Sequence, residues 1–368
     1  MNELEKAREI INEVDKEMAS LFEKRMHAAE LVAKYKKDNA LSILDTSREN
    51  ELIQKNSEYI TDQTIKEYYV NFLKETISIS RSYQSRLNEG MKVAYSGVEG
   101  AFGYIASKKM FPEANLISYK SFEDAYASVV SGECDAVVLP IENSFAGDVG
   151  TVMDLIFSGE LYINQVIDLA VVHNLIANPG ATREGIKEVI SHPQALSQCA
   201  KYIREMGYEQ KEATNTAVAA KSVKESGRTD IGAIASLETS EIYGLKVIDK
   251  NINESRNNTT RFAAFSRTRN ENAASSKGEI NNNFILAFTV KNEAGSLAKT
   301  LDIIGMHGFN MRNLRSRPMK NLLWNYYFYI EAEGNINTQN GKDMLKELGA
   351  TCAMLKLAGT YYSNTKEG

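Results

Sequence analysis

The chain of 368 residues is 43% hydrophobic and 25% charged, with a formal net charge of −5. That length suits two or three domains, and the acidic balance argues against wholesale nucleic-acid binding while leaving room for a small basic pocket. Cys134, Cys199 and Cys352 form no CxxC and the four histidines are scattered, so neither a disulfide framework nor a zinc site is indicated, and no metal or other cofactor is expected.

The opening MNELEKAREI lacks the apolar core of a signal sequence, and no run is long enough to span a membrane, so a cytoplasmic protein without membrane partners is expected. Residues 1–89 hold neither glycine nor proline, which predicts helix throughout. Leu4, Ala7, Ile11, Val14, Met18, Leu21, Arg25, Ala28, Val32 and Tyr35 keep a 3-4 spacing, the seam of one long helix packed against partners. DNALSILDTSREN breaks that period. Asp45 or Thr46 suits the cap of a second helix starting near Ser47, and ITDQTIKEYY opens a third that runs towards Gln84.

Charge interrupts this bundle where apolar side chains should be. Arg25 occupies a seam position, and a buried guanidinium is costly unless something anionic meets it. Lys36 lies 11 residues on, hence on nearly the same face. Arg8 stands 17 residues before Arg25, about 25 Å along a helix, too far for both to grip one small ligand. If both act, Arg8 serves the site of a second chain, and an intertwined dimer follows. Asp45, Arg48 and Glu49 share one helical face, and Ser80 and Gln84 lie one turn apart. Each residue alone reads more readily as a solvated surface group than as a ligand, and Asp45 with Arg48 as a weak surface pair.

Taken together, in this order and near this spacing, these residues resemble the all-helical chorismate mutase family over residues 1–88. The resemblance implies that Arg25, and Arg8 from a partner chain, hold the two carboxylates of chorismate. It also implies that Arg48 adds positive field, that Glu49 and the backbone near Asp45 hold the ring hydroxyl, that Lys36 and Gln84 hydrogen-bond the ether oxygen, and that Ser80 lines the pocket. The rearrangement of chorismate to prephenate is unimolecular and needs no nucleophile, base or metal. It needs a flexible dianion folded into a reactive conformer, and donors placed where charge grows on the ether oxygen.

From Met91 short apolar runs alternate with helical segments, VAYSG before FGYIASKKMF and DAVVLPIE before VMDLIF, the βα rhythm of an α/β domain. YSGVEGAFGYIA, PIENSFAGDVG and SHPQALSQC each place small or polar residues between a strand and a helix, where free N–H groups suit carboxylates. The glycine spacing in the first is not the dinucleotide fingerprint, and His192 in the last reads as a capping or packing residue. NNTTRFAAF closes the domain. Asn257 and Asn258 suit a turn; then Thr260 and Phe262 fall on one side of a strand and Arg261 on the other. The pattern fits an edge strand capped by polar residues, and it fits a strand that shows a hydroxyl and a guanidinium to an anionic substrate.

With PIEN-S, SHPQAL-QC and Asn215-Thr216-Ala217, the Thr260-Arg261-Phe262 stretch resembles the prephenate dehydratase family over residues 92–268. The resemblance implies two α/β lobes around a cleft, similar to periplasmic binding proteins. Thr260 becomes the catalytic hydroxyl, with Asn143, Ser144, Thr216, Arg261 and Phe262 around prephenate. Ala101 and Gly103 stand where hydroxyl residues are common, so some substrate contacts there are expected either to be lost or to come from backbone N–H groups.

RTRNENAASSKGEINNN, residues 267–283, reads as a linker. FILAFTV, SLAKTLDIIGMHG, NMRNLRSR, LLWNYYFYIEAE, GKDMLKEL and AMLKLAGTYY follow as strand, helix, strand, strand, helix and strand, a ferredoxin-like unit. NEAGSLAKTL and LRSRP within it resemble an ACT regulatory domain over residues 284–362, which implies Gly295, Leu297, Ser316 and Arg317 as effector-binding positions. Arg315 stands where dehydratases have glutamate, and Ala294 replaces a frequent proline. The protein so implied is multidomain. It turns chorismate into prephenate and then phenylpyruvate, responds to phenylalanine, and is a homodimer or homotetramer. Three alternatives stay open: an arogenate dehydratase in the middle domain, a non-catalytic metabolite sensor, and a C-terminal domain used only for dimerisation.

Overall fold

The computed structural model describes residues 2–255, 257–270, 282–319 and 325–362. Most of the expected linker, and residues 322–324 of the expected LLWNYYFYIEAE strand, lie outside the described residues. The chain divides into two compact units, residues 1–92 with 113–115, and the remainder.

The first unit is helical. α1 (Glu3–Asp38) starts at a capping box between Asn2 and Glu5, in which each side chain meets the other's backbone N–H. α2 (Thr46–Ser57) starts on the Asp45 carboxylate, which accepts from Arg48 N at 3.0 Å. α3 (Lys66–Glu89) stops at Gly90, whose φ of +82° a helix cannot continue. α1 packs on α3 with Ala29 and Ala33, one turn apart, as its buried residues, opposite buried Leu73, Ile77 and Ser80. This is not the predicted seam. Leu4, Ile11, Val14, Met18, Leu21, Val32 and Tyr35 all stay exposed, Leu21 at 60%. The reason is length and facing: α1 has 36 residues and α3 has 24. Residues 3–24 of α1 are exposed throughout, so among the described residues the seam has nothing to pack against.

The second unit begins with a first lobe made of β1 (Lys92–Ser96), α4 (Phe102–Met110), β2 (Asn115–Tyr119), α5 (Phe122–Val130), β3 (Ala136–Asn143), β4 (Gly147–Asp148), α6 (Gly150–Ser158) and β5 (Tyr162–Ala170). The chain then crosses to a second lobe: β6 (Asn174–Ala177), β7 (Glu188–Ser191), α7 (Pro193–Gln198), α8 (Ala200–Met206), β8 (Glu209–Glu212), α9 (Thr216–Ser226), β9 (Ile231–Ala235), α10 (Leu237–Tyr243) and β10 (Lys246–Asp249), with sheet order β10-β6-β9-β7-β8. It returns as β11 (Thr259–Ser266), which inserts between β5 and β3 in the sheet β5-β11-β3-β1-β2. β11 is therefore a central strand, hydrogen-bonded on both sides, and the edge-strand reading of NNTTRFAAF fails. Phe262, Ala263, Ala264 and Phe265 are buried in it, as its apolar run requires.

The last part runs β12 (Asn282–Thr289), α11 (Ser296–Met306), β13 (Asn310–Pro318), β14 (Tyr326–Glu333), α12 (Gln339–Thr351) and β15 (Met354–Tyr362), in sheet order β13-β14-β12-β15. That is the ferredoxin-like order expected. β15 also lies parallel to β5 at Gly359 and Ile163, so this sheet continues the sheet of the first lobe. A glycine is needed there, because a Cβ at 359 would run into the Ile163 carbonyl oxygen.

Candidate active sites

In the helical unit the expected charges separate into two groups. Arg25 is half-buried, and its Nη1 donates to Thr76 O at 3.2 Å and to the Ser80 hydroxyl. Burial lowers its pKa, and no carboxylate pairs with it among the described residues. One turn from Ser80, the buried Oε1 of Gln84 has no donor. Lys36 Nζ donates to Ile43 O at 2.6 Å, tying α1 to the loop before α2. Arg25, Ser80 and Gln84 thus present a cation and an unpaired amide oxygen at the α1–α3 contact. Two expectations need correction. Arg48 turns to solvent, where it pairs with Glu51 at 2.8 Å because both sit on the outer face of α2. Glu49 is already gripped by Arg81 through both oxygens, at 3.0 and 2.9 Å. Asp45 spends its carboxylate on the helix cap, as expected. Arg8 lies exposed in the free half of α1 and does not join Arg25 within the chain.

In the second unit, a cavity of about 390 Å³ is lined from both lobes. β11 supplies Thr260 and Phe262, β3 supplies Pro140 and Asn143, and the second lobe supplies His173, His192, Gln198 and Thr216. Asn143 and Thr260 are direct partners across the β3–β11 ladder, which fixes their approach. Asn143 Nδ2 donates to Thr260 Oγ1 at 2.8 Å and to Asn258 Oδ1 at 2.9 Å, while its Oδ1 accepts from Phe145 N and Ala146 N. The amide is used at both ends, so its orientation is set. Because Thr260 Oγ1 accepts this bond, its own proton is left for a group in the cavity. Thr260 is 8% exposed.

The network continues beyond these two. Asn258 Nδ2 donates to Gln198 Oε1 at 2.9 Å, and the same oxygen accepts from His173 Nε2 at 2.9 Å. An amide oxygen can only accept, so His173 carries its proton on Nε2, and its buried Nδ1 has no partner. Burial lowers the His173 pKa against the opposing effect of the Gln198 bond, so the ring is neutral near pH 7. His192 caps α7 as expected, its Nδ1 accepting from Gln194 N at 3.2 Å. Ala101 precedes α4 without a side-chain cap, and Ala101, Phe102 and Gly103 line the cavity.

Two dehydratase expectations fail. Ser144 is exposed and does not line the cavity; its hydroxyl bridges Asn257 O at 2.9 Å and Thr259 N at 3.0 Å, closing the loop against β11. Arg261 lies on the other side of β11 by strand alternation. Its guanidinium bonds Glu331 at 2.8 and 3.1 Å and the Tyr361 hydroxyl at 3.1 Å, and approaches Asp168 at 3.2 Å. It holds the C-terminal sheet to the first lobe. The residues that do line the cavity include no lysine or arginine, and one carboxylate, Asp148.

Residues 93–270 match the family model for prephenate dehydratase, and residues 7–85 that for type II chorismate mutase. The arogenate dehydratase/prephenate dehydratase 1 of Arabidopsis thaliana is 30% identical over 307 residues, 79% of this chain and 77% of that protein. A bifunctional chorismate mutase/prephenate dehydratase of Neisseria gonorrhoeae is 29% identical over 361 residues, 96% of this chain and 95% of that one. The chain belongs to the bifunctional chorismate mutase/prephenate dehydratase family. It carries both enzymes, the mutase in its helical unit and the dehydratase in the two-lobed part. Among solved structures, the prephenate dehydratase of Arthrobacter aurescens in complex with L-Phe aligns with a TM-score of 0.67 at 25% identity, covering 74% of this chain and 90% of that one.

Around the dehydratase, the four C-terminal positions scatter. Gly295 takes φ +82° at the start of α11, with open space where a Cβ would be. Ser316 is exposed on β13. Leu297 instead packs on the apolar core beneath the sheet. Arg317, one position on from Ser316, points the opposite way and meets Asp154 of α6 at 3.4 Å, so it braces the dehydratase lobe. Sequence reading missed Arg81, His173 and the role of Gln198. The second glutamine of SHPQALSQC was the available signal for Gln198; the others offered none.

Proposed function

We propose that Arg25, Ser80, Gln84 and Lys36 form the mutase site, and that the cavity at Thr260 is where prephenate becomes phenylpyruvate, within domains spanning residues 1–88, 92–268 and 284–362. The observation that carries the dehydratase assignment is the Asn143–Thr260 bond, which leaves the threonine proton directed at the substrate. As the ring carboxylate leaves as CO₂, its bonding electrons enter the ring and expel the ring hydroxyl, which takes a proton to depart as water. Thr260 donates the hydrogen bond to that hydroxyl; it acts by position, since a free threonine is a weak acid. Aromatisation drives the step.

For the mutase, a guanidinium half-buried without a carboxylate suits a dianionic guest. The exposed seam of α1 suits a second copy of this chain, whose Arg8 would complete the site. We take the protein to be at least a homodimer and, with three free cysteines, to work in a reducing cytoplasm. The C-terminal unit fits an ACT domain whose effector is phenylalanine, held near Gly295 and Ser316; the L-Phe bound in the Arthrobacter structure supports this. An intact Asn143–Thr260 pair argues against a retired, purely sensory protein.

The test is a pair of variants assayed for both reactions. Thr260→Ala is expected to lower dehydratase kcat by about 10²–10⁴-fold while mutase turnover persists. Arg25→Ala is expected to do the reverse. Normal dehydration by Thr260→Ala would remove this residue from the mechanism, and an active Arg25→Ala mutase would remove that one.

A further inference from the structure

The arginine that departs from the family pattern has a specific target. Arg315 lies on β13, alternating with exposed Leu314 and Ser316, and its side chain is 17% exposed. It reaches out of the C-terminal sheet to two carboxylates of the dehydratase: Glu142, at 2.5 Å, and Asp148. Its Nε donates to Asn313 Oδ1 at 2.9 Å, which aims the guanidinium. Glu142 and Asp148 are direct partners across the β3–β4 ladder. Like charges facing each other across strands repel. The ladder they sit in is minimal, because β4 is only two residues long and its other rung is Asn143 with Gly147.

We propose that Arg315 is a positioning residue of the dehydratase site: by neutralising Glu142 and Asp148 it keeps the β3–β4 hairpin closed and lets a dianionic substrate enter beside Asp148. Two consequences meet in one side chain. The hairpin carries Asn143, whose amide must stay aimed at Thr260 Oγ1. Asp148 is itself part of the cavity wall, and no lysine or arginine among the lining residues offsets it. A glutamate at position 315 would add a third carboxylate to this pair. The arginine here and the two acidic residues opposite it form one recognition unit, and it places a C-terminal strand in contact with the dehydratase cavity.

This inference rests on the Thr260 cavity being the dehydratase site, and the experiment separates the two. In the full-length protein, Arg315→Ala is expected to raise KM for prephenate by roughly tenfold or more at low salt, with a smaller fall in kcat, because substrate repulsion acts on binding. Added salt should shrink the KM effect. Arg315→Lys should restore part of the affinity, being a cation without the fork geometry. Adding Glu142→Gln and Asp148→Asn to Arg315→Ala should recover KM, because nothing is left to neutralise. Mutase turnover in the same samples reports the helical unit, and thermal unfolding followed by circular dichroism reports that the second unit is folded. An Arg315→Ala enzyme with normal KM and kcat, alongside a dead Thr260→Ala enzyme, overturns the role of Arg315 alone. A triple variant as impaired as Arg315→Ala also overturns it, since the arginine would then act otherwise than through these carboxylates. An active Thr260→Ala enzyme overturns the site.

Discussion

Replacing Arg261 with alanine strips the cation from a buried carboxylate. Glu331 has 1% side-chain exposure and receives both Nη atoms of Arg261. Burial pulls the Arg261 pKa down, but the hydrogen bond and charge of Glu331 outweigh it and the net shift is upward, so the guanidinium stays charged at every working pH. Deleting one member of such a pair costs about 3–5 kcal/mol, because the other is left buried and uncompensated. The Asp168 contact adds little, since that carboxylate is 45% exposed. The Tyr361 hydroxyl still reaches Glu331, which favours the lower end, about 3 kcal/mol. For a unit of this size each kcal/mol moves Tm by about 2–4 °C, so a fall of roughly 6–12 °C is expected. Thermal unfolding followed by circular dichroism, with prephenate kinetics well below Tm, reads both quantities. Paired replacement, Arg261→Met with Glu331→Leu, should recover most of the loss, because an apolar pair of similar volume has no charge to desolvate. An Arg261→Ala enzyme with unchanged Tm and a raised KM would refute this and return the guanidinium to the substrate.

Two further outcomes follow from the geometry. Lys356 is buried against Ile156 O and Gly159 O, and burial, partly offset by Glu160, pulls its pKa from 10.5 down to about 8. Between those values the unfolded chain binds the proton that the folded chain has lost, so stability should rise as pH climbs from about 8 to 10.5. Denaturant midpoints across that range should show the rise, and Lys356→Met should flatten it. Separately, Leu21→Glu places a charge in the exposed seam of α1. Sedimentation should show dissociation towards monomer with loss of mutase turnover, and an unchanged oligomer would remove the seam from the interface.

What was legible in the sequence depended on whether a local rule decided the answer. Helix ends came from caps: Asp45 starts α2 because its side chain reaches a free N–H three residues on. The strand–helix order of the C-terminal unit came from hydrophobic periods. Alternation along β11 placed Thr260 and Phe262 together and Arg261 opposite; the motif that groups the three residues does not move Arg261 across the strand. Period two is set by the backbone and outranks any pattern of residue types. The contacts that complete the dehydratase site are of another kind. Gln198 meets Asn258 across 60 residues, and His173 meets Gln198 across 25. Both joins are made where the chain passes between lobes, and no spacing in one sequence encodes them.

The α1 seam shows the same limit from the other side. Periodicity states that a face is apolar; it does not state what covers that face. Here α1 has two usable faces, one with Ala29 and Ala33 set against α3, and one with seven large apolar side chains facing outward. The small residues close the fold within the chain, where backbones must approach. The large ones are more than a lone helix can leave in water: the exposed first half of α1 has no tertiary support among the described residues, and helical stability in proteins comes mainly from packing. The charges proposed to hold chorismate follow this division. Arg25 sits on the half that the chain covers itself and contacts α3, whereas Arg8 sits on the half that no described residue covers. A chorismate dianion needing both would therefore couple mutase activity to assembly.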